Sequence, residues 1–144
     1  MTDDRFNPRP VAGWYMPAAI ASLLFMLLGC VTYVIHVTAD PASLPLDQRT
    51  VYEAEPLWVT AAYAVAVWVG LLGTAMLVLR RKLAQPLLLV SLAAVLGWLA
   101  GLVLVPALRE TISANDLAVA IVVAAITWTI FWFARHSSQR GWLR

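Results

Sequence analysis

The stretch LWVTAAYAVAVWVGLLGTAMLVLRRKLAQPLLLVSLAAVLGWLAGLVLV, residues 57–105, decides the fold. It consists of two apolar runs, Leu57–Leu79 and Leu83–Val105, separated only by Arg80, Arg81 and Lys82. About 20 apolar residues, at about 1.5 Å rise each, cross about 30 Å of hydrocarbon, and each run is long enough. In lipid the backbone amides must be satisfied within the segment, so both runs are expected to be helices. The short basic turn makes them antiparallel neighbours.

Two more runs flank this pair. Trp14–Val37 has no charge before His36, and Leu117–Ala134 ends at Arg135. The expected spans are therefore residues 14–37, 57–79, 83–105 and 117–134. Composition agrees, with 62% hydrophobic residues, 12% charged residues and a mean hydropathy of +0.79. Soluble domains run about 45–50% apolar and about 25% charged, and a domain this small could not bury the excess. Pro17, Pro56 and Pro86 fall near helix starts, where a missing N–H costs little. Ser113, Asn115 and Asp116 offer caps for the last helix. The expectation is an all-α, four-transmembrane-helix antiparallel bundle, with residues 1–144 forming one integral membrane domain.

Orientation follows from Lys and Arg outside the spans. Arg5, Arg9, Arg80, Arg81, Lys82, Arg135, Arg140 and Arg144 fall on one side, and only Arg49 and Arg109 on the other. Both termini are therefore expected on the cytoplasmic side. The first outer loop, residues 38–55, mixes Leu44, Leu46, Val51 and Tyr52 with Asp47, Gln48, Arg49 and Glu53. It reads as a short helix or turn on the outer surface, with Tyr52 and Trp58 at headgroup depth. Leu27-Leu28-Gly29-Cys30 has the look of a lipoprotein cleavage site, but the apolar run continues through Val37 and the preceding segment carries Asp3 and Asp4. We read the first helix as retained and Cys30 as a small buried residue.

Helices in lipid associate by close packing, so small residues mark interfaces. Ala62, Ala66, Gly70 and Thr74 form one such stripe, and Ala93, Gly97 and Gly101 another. Their first reading is contact between the second and third spans; the alternative is a homodimer seam. Trp68 and Trp98 lie deep in their spans, as does Trp128. With Tyr63, Thr74 and Ser91 they could line a cavity, against the plainer reading of core or lipid contact.

Ionisable groups inside a membrane usually mark function because they are costly there. None is expected at the midplane, which argues against proton-driven exporters that rely on a buried carboxylate in the first helix. His36 lies near the outer end of its run and could join Asp40, Glu53 or Glu55 in an external polar site. A lone histidine at the interface, bonded to backbone or water, is the plainer reading. No ligand set of metal type, no axial histidine for haem at depth and no nucleophile motif is visible. The expectation is a protein that is not an enzyme, with no cofactor and no nucleic-acid partner; its partners are the lipid bilayer and, as an option, a second copy or a larger membrane complex.

Tyr52, Pro56-Leu57-Trp58, Ala64-Val65-Ala66-Val67, Gly70-Leu71-Leu72-Gly73 and Leu79-Arg80-Arg81-Lys82, together with Ala134-Arg135 and Arg140-Gly141-Trp142-Leu143, resemble a family of small uncharacterised bacterial four-helix inner-membrane proteins, often labelled sugar transporters. Members often have tryptophan at the position of Leu83, a departure that touches only an interfacial anchor. The resemblance implies a bacterial cytoplasmic membrane and four helices, and supplies no site residues. Two functions remain in view: a non-enzymatic membrane component acting through helix packing, and a transporter or transporter subunit for a small neutral polar solute such as a sugar. A mid-depth cavity gathering the aromatic and hydroxyl side chains would favour the second.

Overall fold

Every described residue in regular structure is helical; the computed structural model describes residues 10–144. The helices are α1 (Tyr15–Thr38), α2 (Leu46–Ala54), α3 (Leu57–Val78), α4 (Ala84–Leu104), α5 (Pro106–Thr111) and α6 (Ala114–Gln139), with a single 3₁₀ turn at Pro41–Ser43. Of these, α1, α3, α4 and α6 are long and apolar enough to cross a membrane. Arg5 and Arg9 lie outside the described residues.

Local chemistry sets the helix ends. Ser113 caps α6 by accepting the Asp116 amide at 3.1 Å. The outer loop contains α2 on its way to α3. Pro106 stops α4 and starts α5, because it holds the preceding Val105 in extended backbone and suits a first helical turn. Two helices close with the same six-residue device. Gly141 adopts a left-handed φ of 72°, and Trp142 N–H reaches Ser137 C=O at 3.0 Å. At the end of α3, Arg80 takes φ 58°, and Arg81 N–H reaches Met76 C=O at 2.8 Å. An arginine in that region costs about 1–2 kcal/mol. Its Nε donates to Trp142 C=O at 3.2 Å, which helps to offset the strain. Helix α6 runs past the expected end at residue 134, because Phe133, Ala134 and Ser137 continue to find buried contacts.

In the bundle α3 and α4 are central, α1 packs on α3, and α6 packs on α4. Gly70 marks the point where three helices converge: a Cβ there would lie 2.7 Å from both Met26 Sδ on α1 and Ser91 Oγ on α4. Close approach permits hydrogen bonds between helices. Ser91 donates to Ala66 C=O at 2.7 Å, Cys30 to Val67 C=O at 3.3 Å, and the buried Tyr15 hydroxyl to Leu77 C=O at 2.6 Å. Such bonds are worth about 0.6–2 kcal/mol each in a bilayer.

Helices α1 and α6 meet through aromatic side chains at the end where α1 begins and α6 finishes. Tyr15 lies 5.3 Å from Phe133 and 5.9 Å from Trp142, ring to ring, and Trp14 packs beside them. The last residues fold back over this cluster. Lys82 N–H donates to Arg144 C=O at 2.8 Å and Arg144 N–H to Arg80 C=O at 2.6 Å, so the tail pairs with the α3–α4 turn. Elsewhere the outer surface is apolar, with Leu24, Leu28, Leu72 and Trp128 more than half exposed. Only 22% to 33% of each apolar window is buried. Water would penalise the rest, and lipid would not. This is a multi-pass membrane protein.

Candidate functional site

Away from the aromatic cluster, α1 and α6 become opposite walls of a cleft of about 490 Å³. Its floor is the α3–α4 pair, which contributes Ala66, Val67 and Val95. Helix α1 supplies Phe25, Met26 and Gly29, and α6 supplies Ala120, Val123 and Thr127. Leu28 and Val119, both more than half exposed, stand on the rim. At the end of the bundle where α1 finishes and α6 begins, Val51 of α2, Leu108 of α5 and Ile112 just after α5 close the cleft. These side chains pack with Val59, Leu102 and Ala120, which is why two short helices lie across that end.

The ionisable side chains of the lining gather at this closed end. Glu55, immediately before Pro56 and α3, turns inward and its side chain is 8% exposed. It accepts from Thr60 Oγ1 at 3.1 Å, and its other oxygen lies 2.9 Å from His36 Nε2. His36 lies against the rings of Tyr52 and Tyr63, at centroid distances of 5.4 and 6.1 Å. Tyr63 in turn stacks on Trp98 at 5.3 Å with 21° between planes. Asp116, in the first turn of α6, joins the lining. A second hollow of about 390 Å³ adjoins, sharing Thr32, His36, Val51 and Asp116 with the cleft and adding Asp47 and Tyr52. Neither lining contains Arg or Lys among the described residues.

The sequence candidates therefore divide. Tyr63, Trp98, His36 and Glu55 share the closed end of the cleft. Glu53 does not; it pairs with Arg49 at 2.9 Å on the exposed side of α2. Trp68 lies outside the cleft lining, 45% exposed beside Tyr33. Ser91 and Thr74 are fully buried and bonded to carbonyls, Ser91 to Ala66 and Thr74 to Gly70 and Leu71. Of the small-residue stripes, Ala66, Gly70 and Thr74 are buried in the bundle and Ala62 is half-buried. Gly101 packs on Val59 and Trp58, but Ala93 is exposed and a Cβ on Gly97 would meet nothing within 4 Å.

Asp116 and Phe25 were not singled out as lining residues from sequence, and no local pattern distinguishes them. Glu55 had one usable signal, its place directly before the proline that opens a span. Among the described residues no group of three His, Cys, Asp or Glu side chains gathers as metal ligands. What the arrangement can do is hold a molecule: an apolar body in the cleft and a polar head at its carboxylate end. No family model, characterised protein or solved structure matches the chain.

Proposed function

We propose that this protein is a non-enzymatic component of the bacterial cytoplasmic membrane, both termini on the cytoplasmic side, that holds one amphiphilic molecule in the cleft between α1 and α6. The observation that carries this reading is the cleft itself: two outer helices joined at one end and separated along the rest by about 490 Å³ of mainly apolar space. That volume falls within the range of about 300–1,000 Å³ typical of ligand sites. The carriage of a sugar, the alternative, would draw on the Tyr63–Trp98 pair. Such a solute also needs free hydrogen-bonding groups, and the hydroxyls of Thr32 and Thr127 are already given to the carbonyls of Leu28 and Val123. A second copy could still pack on the outward side of α4, where Ala93 is exposed and Gly97 is open.

Brominated phospholipid in nanodiscs tests the cleft. The fluorescence assignable to Trp98, taken as the difference between the unaltered protein and Trp98→Phe, should be quenched by bromines on the acyl chains. Val123→Phe, which fills the cleft, should remove that quenching. A Trp98 signal indifferent to bromine in the unaltered protein would exclude an amphiphile from the site.

A further inference from the structure

Resting on that amphiphile reading, we infer that the molecule the cleft takes is a lipophilic cation, an amine or quaternary onium group on an apolar body, with the Glu55 carboxylate as its counter-ion.

The first ground is charge. Among the described residues, the lining of the cleft and of the adjoining hollow includes Glu55, Asp116 and Asp47, with His36 as the one basic side chain and no Arg or Lys. An anionic head would meet like charge at Glu55, whose side chain is only 8% exposed, where such repulsion is weakly screened. The second ground is geometry. Glu55 receives Thr60 on one oxygen and His36 on the other, which fixes the orientation of the carboxylate. Two oxygens can accept about four hydrogen bonds between them, so the plane is held while capacity remains for a third group. The third ground is the wall. Tyr52, Tyr63 and Trp98 surround His36 or stack beside it, and the faces of electron-rich rings attract cations. Further along, Phe25, Met26, Val67 and Val95 suit an apolar body. Flexible methionine adapts to ligands of varied shape. In this arrangement His36 is a positioning residue for Glu55.

The experiment is equilibrium binding of radiolabelled tetraphenylphosphonium, and of its isosteric anion tetraphenylborate, to the full chain in phosphatidylcholine nanodiscs, with empty discs as background. The cation should bind above background and the anion should not. Glu55→Gln should weaken cation binding by about tenfold or more, Asp116→Asn by less, and Val123→Phe should abolish it. Glu53→Gln, whose side chain faces Arg49 outside the cleft, should change nothing. The inference is overturned if the anion binds as well as the cation, or if a folded Glu55→Gln binds the cation unchanged. It is equally overturned if neither ion binds while bromine still quenches Trp98, an outcome that leaves the cleft as a site for uncharged amphiphiles. Absence of both signals removes the amphiphile reading as well. Should Glu55→Gln fail to fold, the comparison of the two ions on the unaltered protein decides.

Discussion

Adding a single methyl group to Gly73 and to Gly97 should shift stability in opposite directions. On α3, a Cβ at Gly73 would lie 2.8 Å from Leu88 Cγ, 3.0 Å from Leu88 Cδ2 and 3.2 Å from the Leu88 backbone nitrogen. Leu88 is wholly buried, so its branched end has no free space to enter, and the backbone atom cannot rotate away. Overpacking of this kind costs about 1–3 kcal/mol. Alanine recovers about 0.5–1 kcal/mol through its better helix propensity, leaving Gly73→Ala destabilised by up to about 2.5 kcal/mol. At Gly97 the same methyl group meets nothing within 4 Å, so Gly97→Ala should keep only the gain of about 0.5–1 kcal/mol. Gly70→Ala should fall between them. Its clash with Met26 involves the flexible end of a side chain beside the cleft, but its 2.7 Å approach to Ser91 Oγ threatens the bond to Ala66. Titration with sodium dodecyl sulfate in mixed micelles, followed by far-ultraviolet circular dichroism, measures all three midpoints. A Gly73→Ala midpoint at or above that of Gly97→Ala would refute the packing of α3 on α4 described here.

Three further outcomes are expected. Tyr15→Phe should lose about 0.5–1.5 kcal/mol in the same titration, since it removes the buried bond to Leu77 C=O; an unchanged midpoint would mean that bond is not formed. Trp142→Ala should cost about 3–5 kcal/mol and expose the tail to carboxypeptidase, because Trp142 is 6% exposed against Trp14, Tyr15 and His136. Its buried Nε1 has no partner among the described residues, so Trp142→Phe should be far milder, and equal losses would show that packing is not its role. Cys30, buried and bonded to Val67 C=O, should resist a membrane-permeant maleimide in nanodiscs and react once dodecyl sulfate is added; prompt labelling of the native protein would place it on an open face.

Apolar run length and the turn at Arg80-Arg81-Lys82 were enough to locate four helices in order, because a membrane-spanning backbone has almost no alternative to satisfying itself helically. The caps at Ser113 and Pro56 were legible for the same local reason. Glu53 and Glu55 show where that legibility stops. Two residues apart in one loop, they look alike in sequence, yet one pairs with Arg49 on the surface and the other turns under Thr60 toward His36. Similarly, Trp68 and Trp98 both lie well inside their runs, and only Trp98 lines the cleft.

The sequence by itself determined the solvent: too many apolar residues and too few charges for water, arranged in lengths that match a bilayer. It determined the antiparallel pair as well, since a short turn leaves α3 and α4 no other arrangement. Only tertiary structure decided that α1 and α6 join at one end and part along the rest, and that a loop carboxylate closes the space between them. Apolar surface can face lipid or another helix at nearly equal free energy, so hydrophobic pattern alone does not say which face packs and which stays open. That choice is made by the fit of particular side chains, here Met26 and Ser91 around Gly70, and Phe133 and Trp142 around Tyr15.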